Sequence, residues 1–256
     1  MDESNGEIFV VGVGQIKTGT SSLKSALEIL YKKKCYSIFD IIFDHQDHVD
    51  PWIILLENGR LDRASAELLF EGYNCIVDSP AALFYEDLMT LYPNCKIILT
   101  SKNSTEWLYQ VRKMKLIEPL GFSNGYQINI YSIFLSHFNK LIEKIYQRAF
   151  QESLEILSKN DKILKKSYEN FNERVRCYAP KERFLEFNVA EGWEPLCKFL
   201  SLPIPTVPFP RISTVKRFRE NLKTFVMEVL LKYGQFNLLF IIYIVVIFKI
   251  ATILLW

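Results

Sequence analysis

IFVVGVGQIKTGTSS, residues 8–22, is the stretch on which the reading of this chain turns. An apolar run over residues 8–13 predicts a buried strand. Gly12, Gly14 and Gly19 then break it before SSLKSALEIL, residues 21–30, takes up helical spacing. Strand, glycine turn and helix in that order make a place for an anion. Glycines let the backbone come close to a phosphate, and the first helical turn offers unpaired N–H groups carrying a partial positive charge. A glycine turn that merely joins a strand to a helix is the plain alternative, and the strand-loop-helix context favours phosphate binding over it.

The common nucleotide loop is G-x-x-x-x-G-K-[ST]. Gly14 and Gly19 have its spacing, but Thr20 stands where the lysine belongs, and the cation is Lys17, inside the turn. A lysine after the second glycine is what reaches the outer phosphates of ATP or GTP, so its loss argues against ordinary nucleotide hydrolysis. A kinase or NTPase is the weakest of the functional options.

K-x-G-T followed by hydroxyl residues resembles the 5′-phosphosulfate loop of sulfotransferases, and within them the proteins carrying G-x-G-x-x-[RK]-T-G-T-S-S. The resemblance implies a donor, 3′-phosphoadenosine 5′-phosphosulfate, held by the backbone of Gly14, Gln15, Ile16, Lys17, Thr18, Gly19 and Thr20 with the hydroxyls of Thr20, Ser21 and Ser22 available. Lys17 would then stabilise charge on the bridging and leaving oxygens. Further matches run to residue 211: His48, Val49 and Trp52; the strand-end Thr100 with Trp107; EGWEPLCKFL at residues 191–200; and the tail Pro203, Pro205, Pro208, Phe209, Pro210 and Arg211. The family places an arginine after the strand and a serine eight residues on to hold the donor's 3′-phosphate. Here those positions are Lys102 and Gln110, a point charge in place of a fork and an amide in place of a hydroxyl.

The chain of 256 residues, 49% hydrophobic and 14% aromatic, is long and apolar enough to bury a sizeable core. A net charge of +2 gives no global reason to expect nucleic acid as a partner. Five cysteines, odd in number and widely spaced, suggest neither a disulfide framework nor a metal knuckle, and reduced thiols are expected. The N-terminal MDESNGE carries no apolar segment of a secretory leader. Asp44, His45, Asp47 and His48 form a compact group of potential ligands, read as a polar loop, so no metal is expected.

Residues 75–78, CIVD, predict a second buried strand ending in an acid. Ligands of parallel sheets bind beyond the strand C-termini, so Asp78 should face the same crevice as the glycine turn, as a base for an acceptor hydroxyl. Its alternative is a helix cap for residues 81–91, a role Ser79 is expected to take instead. Residues 95–101, CKIILTS, predict a third strand buried on both faces, and 35–43 is open between strand and helix. Residues 118–125 are expected to form a loop that serves as a lid or an acceptor-specificity element. An aromatic stripe over 131–149 predicts a long core helix with His137 as a structural residue. Residues 159–166 read as a charged surface link, and 183–189 as a further strand.

The expected architecture is an α/β, P-loop-type three-layer domain with a parallel central sheet over residues 1–211. A basic juxtamembrane segment over 212–235 and an apolar run, FNLLFIIYIVVIFKIATILLW, at 236–256 follow. That run has about the ~20 residues of a bilayer-spanning helix. Lys216, Arg217, Arg219, Lys223 and Lys232 before it would keep the globular domain cytosolic, with the tail as a single-pass membrane anchor; a hydrophobic helix packed in a core or dimer is the other possibility. Two functions of different class stay open: a membrane-anchored sulfotransferase, and a nucleotide-binding scaffold of the same fold without turnover.

Overall fold

The computed structural model describes residues 7–113 and 130–212, with the backbone alone over residues 130–136. The expected lid at 118–125, the basic segment from residue 213 on and the apolar run 236–256 lie outside the described residues. Among the described residues no helix is long and apolar enough to cross a membrane.

Five strands form one sheet: β1 (Val10–Gly12), β2 (Cys35–Tyr36), β3 (Cys75–Val77), β4 (Lys96–Thr100) and β5 (Phe184–Phe187), in the order β2-β3-β1-β4-β5. All four pairings are parallel, with Val11 opposite both Ile76 and Ile97. The helices are α1 (Thr20–Tyr31), α2 (Ile38–Phe43), α3 (Val49–Asn58), α4 (Arg63–Leu69), α5 (Tyr85–Leu91), α6 (Ser104–Lys113), α7 (Ile130–Phe150), α8 (Leu154–Lys159), α9 (Asp161–Tyr178) and α10 (Trp193–Leu200). The chain runs from β3 on one side of β1 to β4 on the other, so the order in which strands are added reverses at β1 while every strand keeps the same direction. The crevice beyond its C-terminal end is where a ligand fits such a sheet.

Alternation along the strands builds three layers. Val10, Cys75, Val77, Ile98 and Phe187 face one side with Leu23, Ala26 and Leu27 of α1 and Leu196 and Leu200 of α10. Val11, Ile76, Ile97 and Leu99 face the other, under Trp52, Trp107, Leu141, Ile145 and Tyr168. Both faces of the sheet are dry, which is why its strands read as apolar runs.

Residues 35–43 are both of the options the sequence left open, a two-residue strand followed by α2. The link expected at 159–166 is instead the end of α8 and the first turns of α9. Asn160 begins α9 by accepting from the N–H groups of Lys162 and Ile163, and the lysines there line its wet face. His137 is exposed, outside the core role expected of it. Ser79 does not cap the following helix with its side chain; residues 81–84 form a 3₁₀ turn closed by the backbone bond from Leu83 N–H to Pro80 C=O.

One buried charge fixes the helix behind the glycine turn. Lys24, 4% exposed on α1, lies 2.9 Å from Asp40 and 3.2 Å from Glu28 and donates to the Cys35 carbonyl. Burial alone would lower its pKa, but the surrounding Cys35, Asp40 and Glu28 raise it, so it stays an ammonium. Removing one partner of such a buried pair costs about 3–5 kcal/mol. The pair ties α1 to β2 and α2 and holds the helix N-terminus in place.

Candidate active site

The glycine turn joins β1 to α1 at the C-terminal edge of the sheet. Val13 N–H donates to the Ile98 carbonyl at 2.8 Å, the last tie to β4 before the chain turns. Thr18 closes the turn on itself: its N–H and its hydroxyl both donate to the Gln15 carbonyl, at 3.1 and 2.6 Å. With that proton committed, the bond of 2.7 Å between the Thr18 and Thr100 hydroxyls must run from Thr100 to Thr18. Trp107, fully buried, donates from Nε1 to the Ile16 carbonyl at 2.8 Å and stacks on Tyr168 with ring centres 4.0 Å apart. The turn is therefore held from below by β4 and from one side by α6 and α9.

Two glycines are required. A Cβ on Gly14 would lie 1.7 Å from Thr100 Oγ1, and Gly19, with φ of 113°, precedes α1 in a left-handed conformation directly against Val189. Among the described residues, no acceptor meets the N–H groups of Gly14, Gln15, Ile16, Lys17, Gly19 or Thr20. Those donors, together with the N-terminus of α1, are what a phosphate or sulfate would meet.

Lys17 is held at φ of 70°, a left-handed position that a non-glycine residue adopts at some cost. Its ammonium has no carboxylate partner among the described residues. Its pKa is lowered, first by burial and then by the charge of Lys102. Two cations from different elements thus influence each other across the end of the sheet, an arrangement that an anion between them relieves.

Asp78, at the end of β3, is also held left-handed, with φ of 69°. Its N–H bonds the Gly12 carbonyl at 3.1 Å, so it lies beside the turn, and its carboxylate accepts from the Ser79 N–H at 2.8 Å. Burial lifts its pKa to about 6, against the opposing pull of the Ser79 N–H, the Thr20 hydroxyl and the charge of Lys24. A carboxyl poised there is a proton acceptor near neutral pH. Tyr146 of α7, 8% exposed, is the neighbour that sequence reasoning missed: its phenol is raised by burial and then by the charge of Asp78. It belonged to an aromatic stripe that read only as core.

Lys102 and Gln110 come together, Nζ to Oε1 at 3.5 Å, with Glu106 in contact with both. A cavity of about 350 Å³ opens on the α9 side of Lys102, lined also by Ser104, Tyr168, Asn172 and Arg176. The three hydroxyls at the head of α1 are not equivalent. Thr20 reaches Asp78, whereas Ser22 is engaged by the tail: it accepts from Ile212 N–H at 3.0 Å and reaches the Ile212 carbonyl at 3.4 Å. The proline-rich stretch thus returns to the glycine turn, held on the way by Trp193 Nε1 donating to the Val207 carbonyl and by Phe209 packed edge-on against Trp193.

His45, Asp47 and His48 bring ligand atoms within 4.8 Å of one another, while Asp44 instead pairs with Lys34 at the surface. The two imidazoles stack with centres 4.6 Å apart and planes at 9° to each other. Nε2 of His45 meets the hydroxyl of Tyr73, and Nδ1 of His48 that of Tyr36. Tyr36 in turn accepts from the indole of buried Trp52 at 2.7 Å.

Comparison with known proteins adds to this geometry. The profile of the sulfotransferase domain family matches residues 9–218. The chain is 31% identical over 222 residues to Ava biosynthesis cluster protein M of Aspergillus versicolor, an alignment that covers 80% of each chain.

Proposed function

The chain belongs to the sulfotransferase domain family, and from that premise we propose that it transfers a sulfuryl group from 3′-phosphoadenosine 5′-phosphosulfate to a hydroxyl or amine of an acceptor. The observation that carries this reading is the pairing, at one sheet edge, of a half-buried lysine inside an amide-lined turn with a carboxyl poised near neutrality. The unpaired N–H groups of the turn would hold the 5′-phosphosulfate. Asp78 would take the acceptor's proton as its oxygen or nitrogen bonds to sulfur. Lys17 would stabilise the charge that collects on the phosphate oxygen as the bridging S–O bond breaks, leaving adenosine 3′,5′-bisphosphate. Positioning and charge stabilisation are the main contributions a protein makes to a transfer of this kind.

The test is transfer of labelled sulfuryl groups to a panel of hydroxyl and amine acceptors, followed against pH. With Asp78 as base the rate rises as pH passes through about 6 and then levels, and Asp78→Asn removes most of the rate. The stability has the opposite sign. Because the folded carboxyl binds its proton more tightly than the unfolded one, stability falls as pH rises from about 4 to about 6. Asp78→Asn, which keeps the acceptor for Ser79 N–H and suits a left-handed φ, should therefore melt above the wild type at pH 7.5. A rate indifferent to pH over this range, or unchanged in Asp78→Asn, removes Asp78 from the mechanism.

A second reading, a nucleotide-binding scaffold without turnover, is favoured by the Lys102–Glu106–Gln110 contacts, which leave the corner assigned to the 3′-phosphate already paired. It predicts nucleotide binding with no transfer to any acceptor. We also propose that residues 236–256 tether the domain to a membrane with the globular part on the cytosolic side, on the strength of that apolar run and the basic residues before it. Alkaline extraction should leave the full chain in the membrane pellet and release a chain ending at residue 235; release of both refutes the tether.

A further inference from the structure

Resting on the nucleotide reading above, we infer that Glu106 sets how strongly the site selects at the 3′ end of the nucleotide: it weakens the preference for a 3′-phosphate over a ribose 3′-hydroxyl. The observation is a closed triangle of side chains. Lys102 Nζ lies 3.1 Å from Glu106 Oε1 and 3.5 Å from Gln110 Oε1, and Gln110 Nε2 donates to Glu106 Oε1 at 2.9 Å. The two residues positioned to hold a 3′-phosphate thus direct donors at a carboxylate of their own chain.

The head of α6 is committed in the same way. Asn103 Oδ1 accepts from Thr105 N–H at 3.0 Å and Glu106 N–H at 3.4 Å, so the first-turn amides that would meet an anion are already capped. An arginine could serve a carboxylate and a phosphate together from its five donors. Lysine is a single point charge, and here it is matched by one carboxylate. A phosphate entering this corner must share Lys102 with Glu106 and bear its repulsion. A ribose hydroxyl meets no such conflict, since it donates to Glu106 and accepts from Lys102 or Gln110. The side chain of Glu106 is 55% exposed, so the ion pair contributes little to stability, and its removal leaves the fold in place.

Calorimetric titration with adenosine 3′,5′-bisphosphate and with adenosine 5′-monophosphate, on wild type and Glu106→Gln, tests this. The wild type should prefer the bisphosphate by no more than about tenfold, and Glu106→Gln should raise that preference by about 3- to 10-fold, the size of one unit charge near a partly solvated phosphate. A wild-type preference above about tenfold, more than a lysine already shared with a carboxylate supplies, overturns the inference, as does a preference unchanged in Glu106→Gln. Binding of neither nucleotide to the wild type is a different result, and it removes the nucleotide reading itself.

Discussion

Lys17→Ala should slow sulfuryl transfer by about a hundred- to a thousandfold, the effect of removing one preorganised group aimed at developing charge, and should leave the thermal unfolding midpoint no lower than that of the wild type. The first half follows from placement. Lys17 is the cation of the turn whose N–H groups are unpaired, and its nearest charged influence is another cation, Lys102. The second half follows from the sign of its pKa shift. A lysine whose pKa is lowered on folding is charged at some cost in the folded state, so deleting that charge does not destabilise the fold at neutral pH. Both residues carry a Cβ, so the strain of φ at 70° is common to wild type and variant. Activity assays and thermal melts on the same preparations separate the effects. A variant that loses rate because it has lost its fold would show a lowered midpoint.

Gly14→Ala is the second change with a large expected effect, and its cause is steric. Its Cβ would lie 1.7 Å from Thr100 Oγ1 and 2.7 Å from Thr18 Oγ1, two hydroxyls already bonded to each other at 2.7 Å. Thr100 is fully buried on β4 and has no room to turn aside. Either the turn lifts from the strand or the end of β4 shifts. Overpacking of a dense interior costs about 1–3 kcal/mol and occasionally more. The expected result is a loss near the upper end of that range in denaturant unfolding, together with loss of nucleotide binding. Thr100→Ala in the Gly14→Ala background removes the clashing oxygen and should recover part of the stability, a coupling that a double-mutant cycle measures directly. An alanine tolerated without loss would mean that turn and strand do not approach as closely as described.

The elements around the turn were legible because their signals are local. A strand buried on both faces reads as an apolar run, as in residues 95–101. A glycine turn before amphipathic spacing reads as a helix start, as at Gly19 and Thr20. Asp78 could be placed beside the turn because in a parallel sheet every strand ends at the same edge, and its bond to the Gly12 carbonyl bears that out. Lys102 and Gln110 were paired only through the family resemblance, which assigns both positions to the donor's 3′-phosphate.

What the sequence did not reveal depends on the fold bringing distant segments together. Tyr146 read as one more aromatic in a stripe, and only the packing of α7 against the turn at residues 81–84 brings it within the influence of Asp78. Nothing local in residues 203–212 says that the proline-rich stretch returns to Ser22. Residues 159–166 looked like a link because their lysines are wet, yet a helix needs only one dry face, and Leu164, Tyr168 and Phe171 supply it. Glu106 carried no signal of its own, since an acid four residues after a lysine is an ordinary surface pattern. Its meaning came from the side chains between which it lies.

The proposed transfer requires the cation within the first turn to face the phosphate end of an adenosine nucleotide. Titrating wild type and Lys17→Ala with adenosine 3′,5′-bisphosphate in a calorimeter tests that most directly. Saturable binding of one nucleotide per chain at micromolar concentrations is expected, weakened by about tenfold or more when the charge-assisted contact from Lys17 is lost. Equal affinity in the two proteins, or no saturable heat from the wild type, would contradict it.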